Sequence, residues 1–195
     1  MGNREDLLAG AKRCLLEKGY ARTTARDIAA TAGTSLAAIG YHFKTTEALL
    51  NAALFEAMRE WGEELGRNLG EDGDPDAPPA ERFATIWRRM IESFAAQRGI
   101  WSAQFEFVTL AAQLPELREF YARAQEQARP ELAGLFRAAD PAADPEAARL
   151  VGTLYQALLA GVAMQWLVDP EHAPSGEDLA RALRIAAASL EPSRD

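Results

Sequence analysis

The sequence has a single cysteine, Cys14, so an internal disulfide is excluded. That cysteine falls on the apolar side of a first helix and reads as a small packed hydrophobe. Histidines number only two, His42 and His172. Neither accompanies a nucleophile motif, a phosphate loop or an HExxH pattern, and the carboxylates fall in solvated faces or helix caps. An enzyme is therefore not expected, and neither is a metal or a cofactor. β-branched residues are sparse while Ala and Leu dominate, which leaves little material for sheets and predicts an all-α chain of about nine helices. No charged-then-apolar leader opens the chain. The longest apolar run, Ala157 to Met164, is too short to span a bilayer. A cytoplasmic location is expected.

Positive charge is also scarce, with a formal net charge of −8 that argues at first against a nucleic-acid partner. Its distribution reverses that reading. Residues 1–50 hold seven Lys/Arg against five Asp/Glu, a balance of +2, and residues 51–195 hold fourteen against twenty-four, a balance of −10. The acid sits away from the first fifty residues, the pattern of a reading head on an acidic body.

Within that head the stretch Thr23 to Lys44, TTARDIAATAGTSLAAIGYHFK, reads as two short helices joined by a tight turn. Thr24 with Asp27 has the form of a capping box. Gly33 stands where the backbone must stop one helix and turn to positive φ, and Thr34 or Ser35 can cap the next, which runs through Leu36 to about Phe43. Two helices crossing steeply need a small residue at the contact, here Ala29, and a branched anchor, here Ile39. This spacing predicts a helix-turn-helix. The second helix is too short to stand alone in water, so it packs on one side and leaves the other free. The free side carries Ser35, Leu36, Ala37, Ala38, Gly40, Tyr41 and His42, small and hydrogen-bonding groups suited to a major groove and its flanking phosphates. Thr24 and Arg26, with Arg22, lie near the start of the preceding helix, where the arginines either reach phosphates or form plain solvated surface.

The segment GYARTTARDIAATAGTSLAAIGYHFKTTEALL, Gly19 to Leu50, resembles the DNA-binding domain of the TetR family of bacterial transcriptional regulators. GY, TT, IA, AG, S, I, YHF and EAL all fall in register. The resemblance implies a homodimer that binds a palindromic operator, most often as a repressor, and releases it when a small molecule enters the C-terminal domain. One departure stands out: where the family usually has a phosphate-contacting lysine, this chain has Thr46, and Lys44 is expected to supply the charge instead. Leu36, Ala37 and Ala38 offer methyl groups, so thymine methyls and DNA shape should carry much of the discrimination.

Beyond the head, a helix over about 45–69 connects to a body of residues 51–195. GEDGDPDAPP, Gly70 to Pro79, is an acid- and turn-rich connector. Helical spacing continues over 79–97, is interrupted at Gly99, and resumes in a shorter helix. Pro115 opens another helix with Pro130 inside it, where a kink is expected. Asp144-Pro145-Glu146 starts a helix to about Val168 that is apolar on more than one side and so expected to be buried nearly all round. Ser175 and Asp178 repeat the capping box for a last helix.

Small residues on these last two helices suit a two-fold bundle, placing Ala157, Ala160, Gly161, Met164, Leu183, Ala186 and Ala187 at a dimer interface. The body's aromatics either fill the core or line a small-molecule cleft, for which Trp87, Phe94, Trp101, Phe105, Tyr121, Tyr155, Gln156 and Trp166 are the candidates. The rival reading is a helical small-ligand-binding or adaptor protein without operator binding.

Overall fold

The computed structural model describes residues 4–72 and 77–190, so the centre of the acidic connector lies outside the described residues. Nine helices appear among them: α1 Arg4–Lys18, α2 Ala25–Thr31, α3 Leu36–Phe43, α4 Thr46–Asp72, α5 Pro79–Ala96, α6 Arg98–Ala111, α7 Pro115–Leu135, α8 Pro145–Val168 and α9 Gly176–Leu190. The chain forms two compact units, Met1–Glu64 with Ala96–Tyr121, and Leu65–Ala95 with Ala122–Asp195.

The first unit holds α1–α3 around an apolar core. Leu7, Leu8, Ala11 and Leu15 of α1 meet Ile28, Ile39 and Phe43, and Leu49, Leu50, Ala53 and Leu54 join from α4. Ile100, Ala103, Phe107 and Ala111 of α6 complete it, although they lie about fifty residues further along the chain. Full burial of each large apolar side chain contributes roughly 1.5–3 kcal/mol, so α6 is a structural member of the head. Close backbone approach explains its glycine. A Cβ on Gly99 would lie 2.4 Å from the Leu16 carbonyl oxygen. The break between α5 and α6 expected at Gly99 falls at Gln97, and Gly99 itself sits inside the first turn of α6, where no other residue would fit. Polar groups tie α1 and its following turn to α4. Lys12 Nζ bridges Glu56 and Glu60 at 3.0 and 2.7 Å. The hydroxyl of Tyr20 donates to Asn51 Oδ1 at 2.5 Å, and burial, then the nearby Glu47 charge, pushes that phenol up to about 12.

The second unit packs Phe83, Trp87, Phe136 and Tyr155 into one aromatic cluster, with ring centroids 4.3 Å apart for Phe136 and Tyr155. Phe94 meets Trp166 edge-on. Two helix contacts are close enough to demand glycine: a Cβ on Gly152 would come 2.1 Å from the Arg129 carbonyl oxygen, and one on Gly176 2.2 Å from that of Ala84. α7 passes through Pro130 without ending, and the side-chain amide of Gln156 donates to the Gln125 carbonyl at 2.9 Å, one turn before that proline.

α8 corrects two expectations. Its inward stripe is Ala148, Gly152, Tyr155, Leu159, Val162 and Ala163. The other apolar stripe is not buried: Leu150, Leu154, Met164 and Val168 are 53%, 47%, 54% and 82% exposed. In addition, α8 as a whole is long and apolar enough by length and composition to cross a membrane, which the shorter run Ala157 to Met164 did not reveal. Only 22% of that apolar span is buried, so the inward stripe accounts for part of its apolarity and the outward stripe for the rest.

α2 is held at its start by the predicted capping box. The Asp27 amide donates to Thr24 Oγ1 at 3.2 Å, and Thr24 N–H donates back to Asp27 Oδ2 at 2.9 Å. Lys18 pairs with the same carboxylate at 2.5 Å, and these partners hold Asp27 well below the usual carboxylate range. Thr24→Ala is expected to cost about 1 kcal/mol in chemical denaturation. Because the Asp27 pKa is depressed by folding, its contribution should be complete above about pH 5 and fade as acid approaches the folded value. Asp27→Asn should therefore lower the melting temperature at pH 7 and flatten the acid limb of the stability curve, both readable by thermal melts between pH 2 and 7.

Candidate nucleic-acid interface

The helix-turn-helix builds outward from three buried anchors. Ile28 and Ala29 of α2 and Ile39 of α3 are all under a tenth exposed. Gly33 takes φ of +64° in the turn between them, and the Thr34 amide donates back to the Ala29 carbonyl at 2.9 Å. A close approach invisible in the spacing lies behind α2: a Cβ on Gly10 would fall 2.8 Å from that of Ala32. The α3 N-cap position is taken by Ser35, yet its side chain makes no capping bond. Of the two hydroxyls expected to cap the helix, Thr34 or Ser35, that of Ser35 stands at the cap position without the bond and is exposed.

Ile39 and Phe43 turn inward on α3. Ser35, Leu36, Ala37, Gly40 and Tyr41 are exposed, with Tyr41 84% accessible. Ala38 and His42 are half-buried, Ala38 packing on the core cluster and the His42 ring lying edge-on to Tyr41 at 4.9 Å. The structure thus brings the predicted α3 residues to one side, with two of them at its margin. Thr24 stands at the start of α2, but its hydroxyl is engaged by Asp27.

The head's cations sort by partner. Lys12 and Lys18 are in ion pairs, Arg13 Nη2 donates to the Thr31 carbonyl, Arg22 Nε donates to the Lys18 carbonyl, and Arg4 lies 5.0 Å over the Phe43 ring. Arg26 and Lys44 are exposed, and among the described residues neither side chain has a hydrogen bond or ion pair. Lys44 is unusual in its backbone. It has φ of 69° and ψ of −50°, and Thr45 N–H bonds to the Phe43 carbonyl at 2.8 Å across it. This is the rare positive-φ γ-turn, a strained conformation for a residue with a side chain. Thr46 begins α4 behind it and carries no charge.

The other predicted sites separate. Trp101, Phe105 and Tyr121 belong to the first unit, where Trp101 lies edge-on to Trp61 and Tyr121 is tilted against Phe107. Trp87, Phe94, Tyr155, Gln156 and Trp166 belong to the second. There Trp87 is wholly buried and its indole N–H has no partner, and Gln156 is engaged by Arg129 and the Gln125 carbonyl. Ala157, Ala160, Met164, Ala186 and Ala187 are exposed, and Gly161 and Leu183 half-buried. The sequence reading missed Glu106, whose carboxylate accepts the Ala21 amide at 2.7 Å. No local signal links residues 85 apart.

The model for bacterial regulatory proteins of the tetR family matches residues 7–53, which contain α2 and α3, and a tetracyclin repressor-like C-terminal model matches residues 78–189. The HTH-type transcriptional repressor AcnR of Corynebacterium diphtheriae is 37% identical over 65 residues, 33% of this chain and 34% of the relative, so the match spans about a third of that protein's length. Among solved structures, a transcriptional regulator from Streptomyces coelicolor A3(2), SCO7518, is 27% identical with a TM-score of 0.67, covering 96% of this chain and 98% of its own. The multidrug binding protein EbrR, crystallised with imidazole, is 26% identical with a TM-score of 0.67 and 98% coverage of both chains. The second model alone covers more than half of the sequence, and its partner falls on the helix-turn-helix itself: the chain belongs to the TetR family of bacterial regulatory proteins.

Proposed function

We propose that this TetR-family regulator is a cytoplasmic homodimeric repressor that reads a palindromic operator with α3 and lets go when a small molecule binds its body. The observation that carries the reading is the outward side of α3: Ser35, Leu36, Ala37, Gly40 and Tyr41 exposed, with the unpaired cations Arg26 and Lys44 in the same head. Residues 1–50 do the reading in this proposal, and the rest of the chain supplies ligand binding and pairing. Arg26, Tyr41 and Lys44 meet phosphates, and His42 braces the Tyr41 ring. The kinship with a protein named as a repressor favours repression.

Pairing is supported by the outward stripe of α8. Leu150, Leu154, Ala157, Gly161, Met164 and Val168 recur at alternating steps of four and three, the register of a helix seam. Ala186, Ala187 and the 63% exposed Ile185 stand on the adjoining α9. One short helix makes few base contacts, and a two-fold pair doubles them at a spacing near one DNA turn. For the effector, EbrR is the relative seen with proflavin and with imidazole. Within this chain's second unit, Trp87 packs on Phe83 and Phe136, and its buried indole N–H is a donor that a ligand's acceptor could satisfy. An adaptor that never binds DNA is the alternative, and it would show no salt-dependent duplex affinity.

Two outcomes test this reading. Lys44→Gly should relieve the γ-turn, leaving stability equal or up to about 1 kcal/mol higher. It should at the same time weaken binding to a duplex selected from a random pool and lower the slope of log affinity against log salt by about two, one for the Lys44 of each copy. Loss of affinity without loss of stability is the signature to look for. Leu154→Lys should shift the sedimenting species from twice the 21.3 kDa chain mass to a single copy at micromolar concentration. Operator binding should fall with it.

A further inference from the structure

The α1–α2 turn sets where α2 begins, and α2 carries α3 through the core that Ile28 and Ile39 share. One glycine, one hydroxyl and one carboxylate hold that turn. Gly19 opens the turn at φ +79°. Thr23 ties the far end back, its hydroxyl donating to the Gly19 carbonyl at 2.7 Å. Between these ends the Ala21 amide, exposed on the turn, donates to Glu106 Oε2 at 2.7 Å, and the other carboxylate oxygen lies 3.0 Å from where a Cβ on Gly19 would be. Glu106 is in turn fixed to the head, because Phe107 and Ala103 of α6 are fully buried in the head's core and Gly99 rests on the Leu16 backbone.

We infer that Glu106 is a positioning residue for DNA reading: held on α6, its carboxylate fastens the α1–α2 turn through the Ala21 amide and so fixes how α2 and α3 are presented. The inference rests on the DNA-binding role proposed above. Its force comes from sign. A carboxylate in a head that approaches phosphates repels the duplex, so a bystander Glu106 would only weaken binding, and its removal would help. A positioning Glu106 has the opposite requirement, because what matters is the acceptor oxygen at the right reach and not the charge.

Two conservative variants of the full-length chain separate charge from reach. Glu106→Gln loses the charge and keeps an acceptor at the same distance. Glu106→Asp keeps the charge and withdraws the acceptor by one methylene. Affinity is measured on a 30-base-pair duplex, a length chosen to be about three helical turns, recovered from a random-sequence pool with the unmutated protein. Exchange of the Ala21 amide is followed by NMR without DNA. Glu106→Gln should bind as tightly as the parent, or up to about threefold tighter, with Ala21 exchange unchanged. Glu106→Asp should bind about fivefold more weakly, with Ala21 exchange about tenfold faster and the salt slope unaltered, since no phosphate contact is lost. Unchanged or tighter binding by Glu106→Asp overturns the inference and leaves the regulator reading intact. Failure of the unmutated protein to recover any duplex overturns the regulator reading itself, and the inference with it.

Discussion

An eight-residue helix has too few internal hydrogen bonds to hold its shape in water, and that constraint governs the whole first unit. α3 exists because Ile39 and Phe43 are drawn into a core built by α1, α4 and α6. The side that carries Leu36, Ala37, Gly40 and Tyr41 is then left outside that core. In the reading proposed above, the small residues at Ala37 and Gly40 fit this division, since bulk there would hold the backbone away from the groove floor.

The same constraint explains why the head is larger than its motif. α1 and α2 alone could not enclose Ile39 and Phe43. The enclosure is finished by Ile100 and Phe107, which the chain delivers after an excursion through the second unit. Burial on α6 and the carboxylate of Glu106 are two faces of one arrangement, apolar atoms that seat the helix and a polar atom that grips the turn above it.

What could be read from the sequence was local. The Thr24–Asp27 and Ser175–Asp178 boxes each span three residues and form as expected, as do the positive φ at Gly33 and the start of α8 at Asp144. Such contacts follow from one stretch of backbone and a side chain's reach. Gly99 shows the limit. It lies two residues past the break between α5 and α6, and its lack of a side chain answers to a backbone far away in sequence. Ser35 shows another, since a capping residue type at a capping position need not cap. For the α3 surface, periodicity separated inside from outside well, and only the half-buried edge at Ala38 and His42 needed coordinates. The aromatic body was the least legible part, because core filling and cleft lining use the same residues at the same spacing.

α8 carries two apolar stripes, one consumed in folding the chain and one left facing outward. If copies pair through the second, the solubility of the regulator becomes a function of its own abundance. Dilution far below the pairing constant would strand Leu150, Leu154, Met164 and Val168 in water, and a lone copy would be the adhesive species, prone to stick to itself or to lipid. Scarcity, more than crowding, would then be the condition under which this protein is at risk.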